Sequence, residues 1–135
     1  MIHADLSGDG ARRWGGRWNR RGRPMVYLAD HPALALLEVR VHLDLAFDLL
    51  PQDYVLMQVA LPDGSLVELP EVPDDPEAAG AAWLDRGAAA VLRVPSALVP
   101  AAWNLLLNPA HPAAAEARIL DRTPLHFDPR LWGGG

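Results

Sequence analysis

Between residues 24 and 45 the spacing of apolar side chains changes from every second position to every third or fourth. The segment PMVYLA (24–29) alternates, with Val26 and Leu28 on one face and Tyr27 on the other, which predicts a short strand. Leu34, Leu37, Val41 and Leu45 then form a helical stripe, which predicts a helix over roughly 32–43 with that stripe against a core. Asp30 is the candidate N-cap, and Pro32 falls in the first turn, where a missing N–H costs nothing. Further on, YVLMQVAL (54–61) predicts a mostly buried strand and residues 65–69 its continuation after a Pro-Asp-Gly turn. Asp75-Pro76-Glu77 starts a second helix that Gly87 stops. Residues 90–94 and 103–107 predict strands closed by Pro95 and by Asn108-Pro109, and 118–120 and 125–127 two short ones. Residues 7–23, with five glycines, predict a loop, and 132–135 a tail.

Strands and helices are interspersed without regular alternation, and short proline turns join several strands. This predicts a single compact α+β domain over residues 1–135 with mostly antiparallel pairing, rather than a doubly wound sheet. Neither GxGxxG after a strand nor GxxxxGK[ST] is present. With 135 residues, half of them apolar, the chain is long enough for one hydrophobic core. It has no cysteine, which excludes disulfides, thiolate catalysis and cysteine-ligated metals. No apolar run reaches membrane-spanning length and no leader pattern opens the chain, so a soluble, cytoplasmic protein without membrane contact is expected.

Charge changes the picture through its position. All 12 basic residues are arginine, and six of them lie between Arg12 and Arg23. Residues 1–23 carry six arginines against two aspartates, a net +4, and the remainder six against 15 acids, a net −9. An acidic chain argues against direct nucleic-acid binding. Its local arginine cluster suits either one anionic ligand or a solvated loop.

Several residues have the chemistry for a site. Glu38 lies within the apolar stripe, and a carboxylate facing a core must be paired or used; Arg40 or a cluster arginine would pair it. Arg17, in GGRWN (15–19), sits between glycines and a tryptophan, where a guanidinium can grip a phosphate or simply pack on Trp18. Tyr27 can stack on a planar ring or be an ordinary strand residue. Ser96 follows Pro95 at a strand end, over a pocket or capping a turn, without GxSxG surroundings. His3, His31, His42, His111 and His126 show no metal-ligand spacing, so no metal is expected, and His111 reads as part of a rigid turn.

Taken together, GARRWGGRWN, PMVYLADHPALALLEVRVHL, LRVPSALVPAAWNLLLNPAHP and FDPRL, running from about residue 7 to 131, resemble the RES domain, the toxin half of a bacterial toxin–antitoxin family named for an arginine, a glutamate and a serine. On this match those residues fall on Arg17, Glu38 and Ser96, Tyr27 matches the tyrosine of the family's YxA strand, and Asn108 the asparagine of its NPxHP turn. Family members usually open with a short strand carrying Trp-Arg, where this chain starts at Met1-Ile2-His3, so the expectation is that this strand is cut short or that the start codon lies upstream. Leu105 stands where an aromatic often follows the first asparagine of NxLxNP.

The resemblance implies a fold similar to ADP-ribosyltransferases, with NAD+ as substrate in a cleft between strands and no prosthetic group. It implies cleavage of the nicotinamide–ribose bond with water or phosphate as acceptor, or transfer of ADP-ribose to a protein. Arg17 would hold the pyrophosphate, Tyr27 would stack on nicotinamide, and Glu38 would stabilise the cationic ribose. Ser96 would orient ribose or Glu38, and Asn108 would line the pocket. The partner implied is a helix-turn-helix antitoxin that blocks the active site in a hetero-oligomer. A non-catalytic binding domain is the reading of another class, and the joint presence of Arg17, Tyr27, Glu38 and Ser96 argues against it.

Overall fold

The computed structural model describes residues 5–133, so His3 and the expected opening strand lie outside the described residues. In chain order the elements are α1 (Asp9–Trp14), β1 (Val26–Ala29), α2 (Pro32–His42), β2 (Val55–Ala60), β3 (Leu66–Glu68), α3 (Pro76–Arg86), β4 (Val91–Pro95), β5 (Trp103–Leu107) and β6 (Arg118–Pro124), with 3₁₀ turns at Phe47–Leu49, Pro112–Glu116 and Pro129–Trp132. The strands make a four-stranded sheet, order β1-β5-β4-β3, and a two-stranded sheet of β2 and β6. All pairings are antiparallel except β3 with β4. The α+β class and its mostly antiparallel pairing are as the sequence predicts.

Two faces of the large sheet carry two cores. Register places Tyr27, Ala29, Leu92, Val94, Asn104 and Leu106 on one face and Val26, Leu28, Val91, Leu105 and Leu107 on the other. The first face is covered by Trp83 and Leu84 of α3 together with Trp18 and Met25. The second packs Val26, Ala90, Val91 and Leu107 with Leu61, Ala113, Ala114 and Ala117. A third cluster joins Leu36, Val39 and Leu43 to Leu50, Tyr54 and Phe127, and so seats α2 beside the small sheet. Each large apolar side chain taken from water in these cores contributes about 1.5–3 kcal/mol.

Several sequence expectations are corrected. Residues 9–14 are helical despite the glycines around them. The carbonyls at the end of α1 find tertiary donors, Asn19 Nδ2 on Ala11 O at 2.8 Å and Gly22 N on Arg12 O at 2.7 Å. Helix α2 is capped by His31, whose Nδ1 accepts from Ala33 N–H at 3.0 Å. Asp30 instead gives its backbone N–H to Trp103 O, at the end of β1. The Pro-Asp-Gly turn does not continue β2. It carries the chain across to the large sheet, where Ser65 holds β3 to β4 by accepting Ala90 N–H on its Oγ and Val91 N–H on its carbonyl. Segments 118–120 and 125–127 are not two strands: β6 runs unbroken to Pro124, and Phe127 plugs the third core. Trp132 is no tail, for it stacks edge-on with Phe47 and Phe127, lies 4.3 Å under the Arg40 guanidinium and donates Nε1–H to Leu45 O.

The stripe on α2 also faces the wrong way for the prediction. Leu34 is buried, yet Leu37, Val41 and Leu45 are 39%, 57% and 43% exposed. The helix buries Leu36, Val39 and Leu43 instead, because the third core lies on that side.

Helix α3 approaches the Arg17 loop through Gly80. A Cβ there would lie 1.8 Å from Trp18 O. In an exposed helix Gly→Ala stabilises by about 1 kcal/mol. Here Gly80→Ala is expected to destabilise by about 2 kcal/mol or more through overpacking against backbone, as measured by urea unfolding.

Candidate active site

The Arg17 segment is a rigid turn. Gly16 and Asn19 exchange backbone hydrogen bonds at 3.0 and 3.4 Å. Trp18 is buried in the first core, so it does not stack on Arg17. Asn19, 1% exposed, donates Nδ2 hydrogens to the carbonyls of Ala11, Arg20 and Arg23. Tyr27 locks the turn from below: its hydroxyl accepts from Trp18 N–H at 3.0 Å and donates to Asn19 Oδ1 at 2.5 Å. Gly16 is needed because a Cβ would meet that hydroxyl at 2.6 Å. Burial of the phenol pushes its pKa up to about 12. The Tyr27 ring remains partly exposed with its oxygen committed to the turn.

The arginine cluster resolves into two groups. Arg12 and Arg13 pair with Asp9, Arg20 with Glu77 and Arg23 with Asp85, at 2.6–3.0 Å. Arg17 and Arg21 have no ion-pair partner among the described residues. Exposed pairs of this kind contribute little stability. Their effect is to leave Arg17 at the tip of a fixed turn with its charge uncompensated.

Glu38 projects from α2 towards the large sheet. It is half-buried, and Asn104 Nδ2 on β5 donates to Oε1 at 3.0 Å and Oε2 at 2.9 Å, and also to Leu28 O at 3.2 Å. Burial raises the carboxyl pKa above the ordinary value, while the Asn104 hydrogen bond and nearby His42 oppose the rise and Asp30 adds to it. The expected pairing with Arg40 does not form: that guanidinium bonds Leu131 O and Leu43 O and stacks on Trp132. Asn104, the first asparagine of NxLxNP, is given no role by the sequence alone. Its signal was there, an amide at an alternating position within WNLLL, where a polar side chain must find a partner.

Asn104 and Tyr27 share one sheet face, so the Arg17 turn, Tyr27 and the Glu38 carboxylate come to the same side of β1 and β5. Ser96 follows the end of β4, two residues beyond Val94, the cross-strand partner of Asn104. Its Oγ accepts from Leu98 and Val99 N–H, so it caps the turn there. Asn108 stands about 13 Å along β5 from Asn104 at 3.3 Å per residue. Its Oδ1 accepts from Ala110 N–H, forming the turn into which His111 fits as the cap of the next 3₁₀ segment. The structure therefore brings Asn108 to the far end of the strand, away from Glu38.

Beside the Glu38–Asn104 pair a cleft of about 780 Å³ opens between the two sheets. Tyr27–Pro32, Ala35 and Val39 of α2, and the facing stretches of β2 and β6 line it. Leu28, whose carbonyl shares the Asn104 amide, and Leu105 line it too, so the pair stands near the cleft, although Glu38, Asn104 and Arg17 are not themselves among the lining residues. The volume suits a ligand of nucleotide size. Among the described residues no cluster of three His, Asp or Glu is placed to hold a metal ion, and no helix is long and apolar enough to cross a membrane.

Residues 2–128 match the RES domain family. A Toxin Res of Pseudomonas putida is 41% identical, over 97% of this chain and 95% of its own. The Prs ADP-ribosylating toxin of a Sphingobium species is 39% identical, over 94% and 86%. A chain in the crystal structure of the M. tuberculosis MbcT–MbcA toxin–antitoxin complex superposes with a TM-score of 0.75 at 25% identity, over 97% of this chain and 82% of that one. Fold and relatives place this protein in the class of toxins. The chain belongs to the RES domain family.

Glu38 links stability to pH. With its pKa raised in the folded state, the native protein holds the proton longer than the unfolded chain, so stability falls as pH rises from the ordinary carboxylate value through the raised one. Glu38→Gln is therefore expected to stabilise the protein at neutral pH, with the advantage shrinking below the ordinary carboxylate range, as read from urea midpoints across pH. Tyr27→Phe is expected to cost about 1–3 kcal/mol, since it strands the Trp18 N–H and the buried Asn19 oxygen, and the same unfolding assay reads it.

Proposed function

We propose that this protein is a toxin that breaks the nicotinamide–ribose bond of NAD+, with water or phosphate as acceptor. The observation that carries the reading is Glu38: a half-buried carboxylate, oriented through both oxygens, on the sheet face that also holds Tyr27 and an arginine turn with an uncompensated charge. NAD+ needs opposite help at its two ends, a cation for the pyrophosphate and an anion for the ribose that turns cationic as nicotinamide departs. Arg17 supplies the first and Glu38 the second.

In this mechanism the C1′–N bond breaks and its electron pair leaves with neutral nicotinamide. The ionised Glu38 stabilises the oxocarbenium-like ribose until an acceptor oxygen adds to C1′ and gives up its proton. The Tyr27 ring, fixed through its hydroxyl and partly exposed at the edge of the cleft that Tyr27 helps to line, stacks on the nicotinamide in this reading. Ser96 orients the ribose from the end of β4 while its Oγ lone pairs hold the turn; without a base beside it, it is no nucleophile. Asn108 supports the site only through the turn it builds. The acid limb of the rate profile lies above that of an ordinary carboxylate, because turnover needs Glu38 ionised.

The name of the Sphingobium relative favours a second reading, ADP-ribosyl transfer to a cellular protein by the same residues. The toxin–antitoxin neighbour supports a cognate antitoxin, and we place a helix-turn-helix protein over the active site in a cytoplasmic hetero-oligomer.

Nicotinamide release from NAD+ by the purified protein, followed by NMR with and without phosphate, tests the reading. Release in many-fold excess over protein is expected, and the phosphate dependence identifies the acceptor. Glu38→Gln is expected to lower kcat by about 10²–10³, with NAD+ binding largely kept. Arg17→Ala is expected to weaken NAD+ binding about tenfold or more, the loss of one charge-assisted contact. A Glu38→Gln protein as active as the parent would contradict the carboxylate's role.

A further inference from the structure

Glu38 touches one side-chain donor among the described residues, and that donor is neutral. A partly buried carboxylate is usually steadied by arginine, and this chain has 12 of them, with Arg40 only two positions away. Arg40 is nevertheless turned to Leu131 O, Leu43 O and the Trp132 ring. A guanidinium beside Glu38 would offset the negative field that a cationic ribose needs. An amide orients the carboxylate and leaves its charge in place.

The geometry fits an orienting part. Asn104 Nδ2 reaches both Glu38 oxygens at nearly equal distance, which fixes the carboxylate plane, and it also bonds Leu28 O. Asn104 is itself anchored, lying opposite Ala29 on one side and Val94 on the other in the ladder. One side chain thereby ties α2, β1 and β5 together beside the cleft.

We infer that Asn104 is a positioning residue for the reaction: its carboxamide holds the Glu38 carboxylate in its reactive orientation and in its ionised form without neutralising it. This rests on the role given to Glu38 under the proposed function. The other titratable groups near Glu38 among the described residues are His42, one turn along α2, and Asp30, ahead of that helix.

The test compares Asn104→Leu, close in size but with no donor, with the parent and Glu38→Gln. It uses nicotinamide release across pH and, separately, the Glu38 carboxyl carbon titrated by ¹³C NMR without substrate. For Asn104→Leu we expect kcat to fall ten- to a hundredfold with KM for NAD+ changed less than threefold. The acid limb of kcat and the NMR titration of Glu38 should move to higher pH together. If the leucine variant does not fold, Asn104→Ala is read in the same way. A parent-like kcat with an unmoved Glu38 titration, while Glu38→Gln is inactive, overturns the role of Asn104 alone. A parent-like Glu38→Gln overturns the reading of Glu38, and this inference with it.

Discussion

The structure is organised around a carboxylate drawn halfway out of water. Among the described residues Glu38 has no arginine beside it, only His42 nearby to offset part of its burial, and the protein holds it with one amide from the neighbouring sheet. Such a group is a cost to the folded state, and its persistence implies use. The surrounding elements follow from it. Helix α2 is seated by Leu36, Val39 and Leu43 on the third core, and another flank of the same helix brings Glu38 to Asn104 of β5. Arg40 is held by the C-terminal turn, and Trp132 is drawn into the third core to do so.

The second pole of the site is built by different means. A turn with two adjacent glycines would ordinarily be floppy. Here it is immobilised by a buried asparagine, a tyrosine hydroxyl with two partners and a helix glycine that lets α3 press on the turn's backbone. Local acids take four of the six clustered arginines, so the +4 of the N-terminal segment is focused on a few side chains rather than spread as a basic surface. The two poles meet across Tyr27, whose oxygen belongs to the turn, whose side chain shares a sheet face with Asn104, and which is one of the residues at the cleft.

Much of this was legible beforehand, for identifiable reasons. Helix α3 carries its own start and stop in Asp75-Pro76 and Gly87, and β4 and β5 are short apolar runs closed by proline signals, so local chemistry sufficed. The anomaly of Glu38 was visible as a charge among leucines. Its partner was not singled out, because the bond to Asn104 joins residues 66 apart. The stripe of Leu37, Val41 and Leu45 misled because periodicity finds an apolar face but not which neighbour covers it, and the core lies against Leu36 and Val39. Helix α1 was hidden by its glycines, since its end carbonyls are satisfied by Asn19 and Gly22 only after the chain has folded back.

In the proposed function NAD+ lies with its nicotinamide ribose at Glu38 and its pyrophosphate at Arg17. A crystal structure of Glu38→Gln soaked with NAD+ tests this, because the variant keeps one oxygen to accept from Asn104 and lacks the carboxylate's charge. The dinucleotide is expected to enter the cleft with its reacting ribose carbon within about 4 Å of residue 38, which is contact distance, its nicotinamide on the Tyr27 ring and its phosphates at the Arg17 turn. A dinucleotide bound with its ribose remote from residue 38 would contradict it.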